Sequence, residues 1–348
     1  MSHNQDAVFD VVIVGGGPTG LSCGIEAARV GLKYCIVEKG AITDAIRRFP
    51  VNMTFFSTPE LLTLGGLPFP TTSVRPSRRE ALQYYRAVVE HFRLSLQLFT
   101  TVERIEPVQQ TNQDGKQCPR FVLHTRRSTT PVDAAFGVHD VLHARNVVIA
   151  TGYFDNTNRL NVEGEDLPHV SHYYDEAYKY AMADVVVIGG RNSAVETALE
   201  LWRHGARVTL VHRRSALGTS VKYWVRPDIE NRIKNGEISA YFDSVVRVIR
   251  PGSLDIEYLP TGELRRLKAD FVFPLIGYRP DERLLRSAGV QLDEQTLIPQ
   301  YNPATFETNV PGLYIAGSVA CGCETWNIFI ENGRAHAQPI MEHIAHTL

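Results

Sequence analysis

The sequence predicts an α/β protein built from two nested, Rossmann-like dinucleotide-binding domains, and three observations predict it. A glycine-rich unit of strand, turn and helix opens the chain, and a second unit of the same design begins near residue 185. The apolar segments beside both units are short, continuous and β-branched, as strands buried on both faces of a parallel sheet are. A length of 348 residues accommodates two domains, each with a core of its own.

In the first unit Val11-Val12-Ile13-Val14 forms the strand and Gly15-Gly16-Gly17-Pro18-Thr19-Gly20 the turn. A helix follows with Leu21, Ile25, Ala28 and Val30 as its apolar face, stopped at Gly31 before a second strand, Tyr34-Cys35-Ile36-Val37, that ends in Glu38 and Lys39. Gly15 permits the tight turn, Gly17 lets a pyrophosphate approach the backbone, and Gly20 allows the helix to lie close on the strand. The helix N-terminus offers N–H donors and the positive end of its dipole. Glu38 can accept from the ribose hydroxyls of a bound adenosine and repels a 2′-phosphate, which excludes NADP from this first site.

The second unit runs Val185-Val186-Val187-Ile188 into Gly189-Gly190-Arg191-Asn192-Ser193-Ala194, then a helix to Gly205 and the strand Val208-Thr209-Leu210-Val211. Its strand ends in His212-Arg213-Arg214 where the first ends in an acid. Arginine forks suit a phosphate dianion, so this site is expected to prefer NADPH to NADH. The middle fingerprint glycine is replaced by Arg191, which either swings outward to a phosphate or narrows the approach.

Composition excludes other classes. With 44% hydrophobic and 21% charged residues the chain has the make-up of a folded globular protein, and a net charge of −2 leaves no broad positive field for nucleic acid or anionic lipid. No apolar run approaches the roughly 18 to 20 residues of a spanning helix, and the first six residues carry no targeting signal, so neither membrane nor nucleic acid is an expected partner and a cytoplasmic location is. Five cysteines without a C-x-x-C, and twelve histidines without ligand spacing, predict neither a disulfide scaffold nor a metal site.

The paired fingerprints, Ala150-Thr151-Gly152 after Val147-Val148-Ile149, and Pro311-Gly312-Leu313-Tyr314-Ile315-Ala316-Gly317 resemble the low-molecular-weight thioredoxin reductase superfamily over nearly the whole chain. Within it, the stretch from Met53-Thr54-Phe55-Phe56-Ser57 to Gly65-Gly66-Leu67-Pro68-Phe69, and Ile328-Phe329-Ile330-Glu331-Asn332-Gly333-Arg334, are similar to the bacillithiol disulfide reductase family. The resemblance implies a homodimeric FAD enzyme that takes hydride from NADPH and reduces a small-molecule disulfide. It also implies a split FAD domain, residues 1–157 and 282–348, around an NADPH domain of residues 158–281, with hinges near Gly152-Tyr153 and Gly277-Tyr278. Residues 111–140 read as a polar, patternless hairpin excursion from the first domain.

On this reading Gly15, Gly17, Pro18, Thr19, Gly20, Glu38, Lys39, Phe56, Ser57, Thr151, Gly152, Gly317 and Ser318 serve FAD. Gly189, Gly190, Arg191, Asn192, Ser193, Ala194, His212, Arg213, Arg214 and Gly277 serve NADPH. The chain departs from the family where thioredoxin reductases carry C-x-x-C, reading Val170-Ser171-His172-Tyr173-Tyr174-Asp175-Glu176, and where many bacillithiol disulfide reductases carry a fingerprint cysteine, reading Thr19. Ser318 stands where the superfamily usually has Asp. Cys23 lies one helical turn past Thr19 and reads as a packing residue. Cys321 and Cys323 are the catalytic candidates: a strained C-x-C disulfide exchanges readily, and the alternative is two small residues at a tight helix entry. Three second half-reactions stay open: exchange through that pair, direct action of the flavin on the substrate, or another acceptor such as ferredoxin or a quinone. A ferredoxin–NADP reductase-like flavoprotein and a slowly turning nucleotide-binding redox sensor are the competing functions.

Overall fold

A computed structural model describes residues 8–111, 117–128 and 137–348, with the side chains of 109–111 and 117–120 excepted. The chain folds as two compact units, residues 1–156 with 278–348 and residues 157–277.

In the first unit β1 (Val8–Val14), β2 (Tyr34–Val37) and β3 (Leu96–Gln97) are parallel neighbours. β4 (Thr100–Thr111), β5 (Gln117–Arg127) and β6 (Val138–Ile149) extend the sheet on the other side of β1, in the order β3-β2-β1-β6-β5-β4. β6 is parallel to β1 and antiparallel to β5. The apolar run of β1 is buried on both faces, Val11 and Ile13 in one core and Val12 and Val14 in the other. Helices α1 (Pro18–Arg29), α2 (Asp44–Arg47), α3 (Pro59–Leu62) and α4 (Arg78–Phe92) follow the strands they connect. α4 starts on a capping box, Ser77 accepting from the Glu80 N–H while Glu80 accepts from that of Ser77.

Two expectations are corrected here. Ala28 and Val30 are exposed, because α1 ends at Arg29 and the chain turns away at Gly31; the buried stripe is Leu21, Gly24, Ile25 and Ala27. The segment after Thr111 does carry a hairpin strand, but not a patternless excursion: β5 pairs antiparallel with both β4 and β6 inside the sheet. Phe121, Leu123 and Thr125 alternate into the interior along it, the period of a strand. Residues 112–116 and 129–136, within the stretch read as patternless, lie outside the described residues.

The second unit carries β7 (Asp184–Ile188), α5 (Asn192–Arg203), β8 (Arg207–Val211), α6 (Arg226–Lys234) and β9 (Ser239–Tyr241). Then come β10 (Ser244–Arg250), β11 (Ser253–Tyr258), β12 (Glu263–Lys268) and β13 (Phe271–Pro274). A parallel sheet is ordered β13-β7-β8-β9, and β10-β11-β12 form a separate antiparallel sheet. Val185 and Val187 pack into one core, Val186 and Ile188 into the other, repeating the pattern of β1.

The chain then returns to the first unit with α7 (Glu282–Ser287), β14 (Leu313–Ile315), which pairs parallel with the end of β6, α8 (Ile330–Gly333) and α9 (Ala337–Thr347). Among the described residues no helix is long and apolar enough to cross a membrane, and no group of three His, Cys, Asp or Glu could hold a metal ion.

Candidate functional site

The turn after β1 is glycine-rich for two different reasons. Gly15 has φ +114°, and a Cβ there would lie 2.5 Å from the Ala150 carbonyl oxygen; a Cβ on Gly20 would overlap the carbonyl of Gly15. Those two are demanded by the protein's own packing. Gly17 is not: its backbone is extended (φ −73°, ψ 176°), and among the described residues nothing lies within 4 Å of an added Cβ. The space over Gly17 adjoins the N-terminus of α1, where no described side chain caps the helix and Pro18 occupies the first turn.

Glu38 is buried beside this turn. Its Oε2 accepts from the Gly16 N–H at 2.6 Å and its Oε1 from the Gly40 N–H at 2.8 Å. Burial raises its pKa, and the two backbone donors oppose that rise. Lys39 is turned to Asp155 at 2.6 Å, and Arg48 joins the same carboxylate and also Asp44, at 2.9 Å. Thr43, which sequence reasoning missed, donates its N–H to the Gly16 carbonyl at 3.1 Å. It sits at φ +51°, unusual for a β-branched residue, and its buried Oγ1 has no partner among the described residues.

A second group of segments meets at Thr19. A Cβ on Gly317 (φ +74°) would lie 2.7 Å from Thr19 Oγ1, and one on Gly333 would lie 3.2 Å from the same atom and 3.1 Å from Gly317 Cα. A Cβ on Gly152 (φ +67°), next to Thr151 at the end of β6, would meet, among the described residues, only Ser318 Oγ, at 3.5 Å. The structure thus brings Thr19, Gly317 and Gly333 together, and sets Gly152 beside Ser318. Phe55 belongs to the core, whereas Phe56 is exposed, with the Arg75 guanidinium 5.5 Å from its ring centre. Ser57 donates to Glu331, tying the entry of α3 to α8.

His336 holds this region from below. Its Nδ1 accepts from the Gly317 N–H at 3.2 Å and its ring stacks on Phe306 at 4.1 Å between centroids. Burial lowers its pKa from 6.5 to about 4. Because the folded value lies below the unfolded one, the unfolded chain takes up the proton first, and stability is lost as pH falls from 6.5 toward 4. Denaturant titrations of the wild type and His336→Asn at pH 7 and pH 4.5 are expected to show the smaller acid loss in the variant. Equal losses would mean that another group sets the slope.

Cys23 is fully buried and its pKa is pushed up to about 12, the signature of a packing residue. Cys321 and Cys323 are both free thiols on either side of Gly322, whose φ is +54°. Cys321 is buried and donates through Sγ to the Ser318 carbonyl at 3.0 Å; Cys323 is half-buried. Burial raises both pKa values, opposite to what activates an exchange thiolate.

In the second unit Gly189 has φ +146° with the Leu275 carbonyl 2.5 Å from an added Cβ. The ring of His212 packs on Gly190, where a Cβ would come within 2.5 Å of it. Burial, then the charges of Arg213 and Arg214, keep that imidazole's pKa low. Arg191 is exposed at the N-cap of α5 with extended backbone (φ −110°, ψ −174°), so replacing glycine there costs no strain. Ser193 is exposed and Ala194 buried in the first turn of α5. Arg213 and Arg214 are exposed at the end of β8, and among the described residues neither has a carboxylate at ion-pair distance. Gly277 (φ +99°) accepts from the Asn158 N–H at 3.0 Å.

The sequence pattern of the pyridine nucleotide-disulphide oxidoreductases matches residues 12–317. The chain belongs to that family. This oxidoreductase is 39% identical to bacilliredoxin reductase Bdr of Bacillus subtilis, over 96% of its own length and 97% of that protein's. Its fold superimposes on bacillithiol disulfide reductase Bdr from Bacillus cereus with a TM-score of 0.91 at 38% identity, covering 98% of this chain and 100% of the other. The Staphylococcus aureus reductase gives 0.87 at 37%, covering 97% and 98%. The oxidoreductase is therefore an enzyme of flavin and pyridine-nucleotide chemistry, with the thioredoxin reductase-like fold that the two glycine units predict.

Proposed function

We propose that this enzyme uses NADPH and FAD to reduce the disulfide of a low-molecular-weight thiol of the bacillithiol class. The similarity to bacillithiol disulfide reductases over nearly the whole chain carries the reading. Two sets of residues would hold its two nucleotides. In the first unit Gly15, Gly17, Pro18, Thr19 and Gly20 shape a cradle for the FAD pyrophosphate, Glu38 binds the adenosine ribose, and the spare hydroxyl of Thr43 adds a donor. Thr151, Gly152, Gly317 and Ser318 line the route of the rest of the cofactor, while Lys39, Phe56 and Ser57 flank it. In the second, the backbone N–H groups of Gly189 to Ala194 hold the NADPH pyrophosphate, Arg213 and Arg214 hold its 2′-phosphate, His212 supports Gly190, and Gly277 closes the exit strand.

When bound, the flavin supplies the electron relay between nicotinamide and disulfide. The overall change balances as NADPH, one proton and one disulfide giving NADP⁺ and two thiols. The family resemblance further implies a cytoplasmic homodimer.

On this reading electrons do not enter through Cys321 and Cys323, both of whose thiol pKa values are raised by burial. Cys321→Ser and Cys323→Ser are accordingly expected to keep the disulfide-dependent rate within about twofold of wild type. A loss of a hundredfold in either would restore the C-x-C exchange route. The reading itself is tested by steady-state assay: NADPH consumption with bacillithiol disulfide should yield two thiols per NADPH, and ferredoxin should support no comparable rate. Turnover with ferredoxin alone would replace it by the electron-transfer reading.

A further inference from the structure

We propose that Asn192 is a positioning residue: it locks the loop of residues 218–222 to the second glycine turn and thereby sets the preference for a 2′-phosphorylated nucleotide. The inference rests on the NADPH reading above. Asn192 opens α5, and its amide is turned to the loop at both ends. Nδ2 donates to the Ser220 carbonyl at 2.9 Å, and Oδ1 accepts from the Lys222 N–H at 2.9 Å. Two further bonds fix the start of the same loop. The Gly218 N–H donates to the Gly190 carbonyl at 2.8 Å, and Arg226 Nη2 donates to the Gly218 carbonyl at 2.6 Å. The approach is close enough that a Cβ on Gly218 would lie 3.2 Å from the Gly190 carbonyl oxygen and 3.3 Å from Arg191 Cγ.

The loop begins four residues after Arg214, whose carbonyl accepts from the Asp243 N–H at 3.1 Å, so the loop's anchorage holds the far end of the segment that carries the two guanidiniums. It also carries exposed hydroxyls at Thr219 and Ser220. Lys222 is no competitor for the phosphate, because its ammonium is paired with Glu196 of α5. The pyrophosphate is common to NADH and NADPH, whereas only NADPH carries the 2′-phosphate. A side chain that acts through the loop must therefore affect the two nucleotides unequally, whereas a side chain that touched the pyrophosphate would affect them alike; Asn192→Ala removes the strut and leaves the backbone N–H groups of the turn in place.

The test is equilibrium binding of NADPH, NADH and 2′,5′-ADP to the flavin-loaded full chain as wild type, Asn192→Ala and Arg226→Gln. Arg226→Gln cuts a second tether of the loop from a different helix, and it carries the test should Asn192→Ala fold poorly. Both variants are expected to bind NADPH and 2′,5′-ADP about tenfold more weakly and NADH within about twofold of wild type. Equal weakening of NADPH and NADH, or an unchanged ratio in both variants, overturns the strut while leaving the NADPH reading intact. A wild type that shows no preference for NADPH overturns both.

Discussion

Replacing Gly17 by valine is expected to give a folded protein that does not retain flavin. The backbone there is already in a conformation any residue adopts, and no described atom lies within 4 Å of the new Cβ, so the fold has no reason to object. The side chain instead fills the space at the N-terminus of α1 where a pyrophosphate must approach. Overpacking of this kind costs ~3 kcal/mol, a loss of about a hundredfold in affinity. Gly20→Val is the contrast: its Cβ would overlap the Gly15 carbonyl, so it should fail by unfolding. Circular dichroism, thermal denaturation and the flavin absorbance of the purified proteins separate the two outcomes. A yellow Gly17→Val protein with wild-type flavin content would remove the first glycine turn from the cofactor site.

The second large effect is expected at the end of β8. Arg213 and Arg214 are exposed and have no described carboxylate to neutralise them, so their charge is available to a ligand. Charge-assisted bonds contribute about 1.5 to 3 kcal/mol each, and removing both in Arg213→Ala/Arg214→Ala should weaken NADPH by roughly a hundredfold or more. NADH lacks the phosphate and should be nearly unaffected, which brings the two nucleotides close to parity. Because these charges are exposed, the wild-type preference should also narrow as ionic strength rises. Binding of both nucleotides at low and high salt reads this directly; a double variant that still prefers NADPH would place the 2′-phosphate elsewhere.

Much of this was legible in the sequence because the signals are local. Strand, glycine turn, helix and terminal Glu38 or Arg213-Arg214 lie within about thirty residues of one another, and each glycine answers a backbone requirement. What escaped reading depends on distant partners. The hydroxyl of Thr43 matters only because tertiary packing buries it beside Gly16 at positive φ. Gly333 matters because α8 crosses Gly317 and Thr19. Asn192 reads as one more fingerprint residue until the loop some thirty positions later closes on it. The charged strand β12, Glu263–Lys268, is exposed at all but Leu267 and is held by its pairing with β11, where Arg250 and Arg266 both reach Asp255. The cysteines are the reverse case: Cys321-Gly322-Cys323 is conspicuous in sequence, whereas the burial that raises both thiol pKa values comes from the tertiary fold.

The most direct test of the central claim is anaerobic rapid mixing of the flavin-loaded enzyme. The flavin is bleached with one equivalent of NADPH and then mixed separately with bacillithiol disulfide and with oxidised ferredoxin. The account predicts fast return of the flavin absorbance with the disulfide, two thiols formed per flavin, and no comparable return with ferredoxin. Flavin that NADPH cannot bleach, or that only ferredoxin reoxidises, would contradict it.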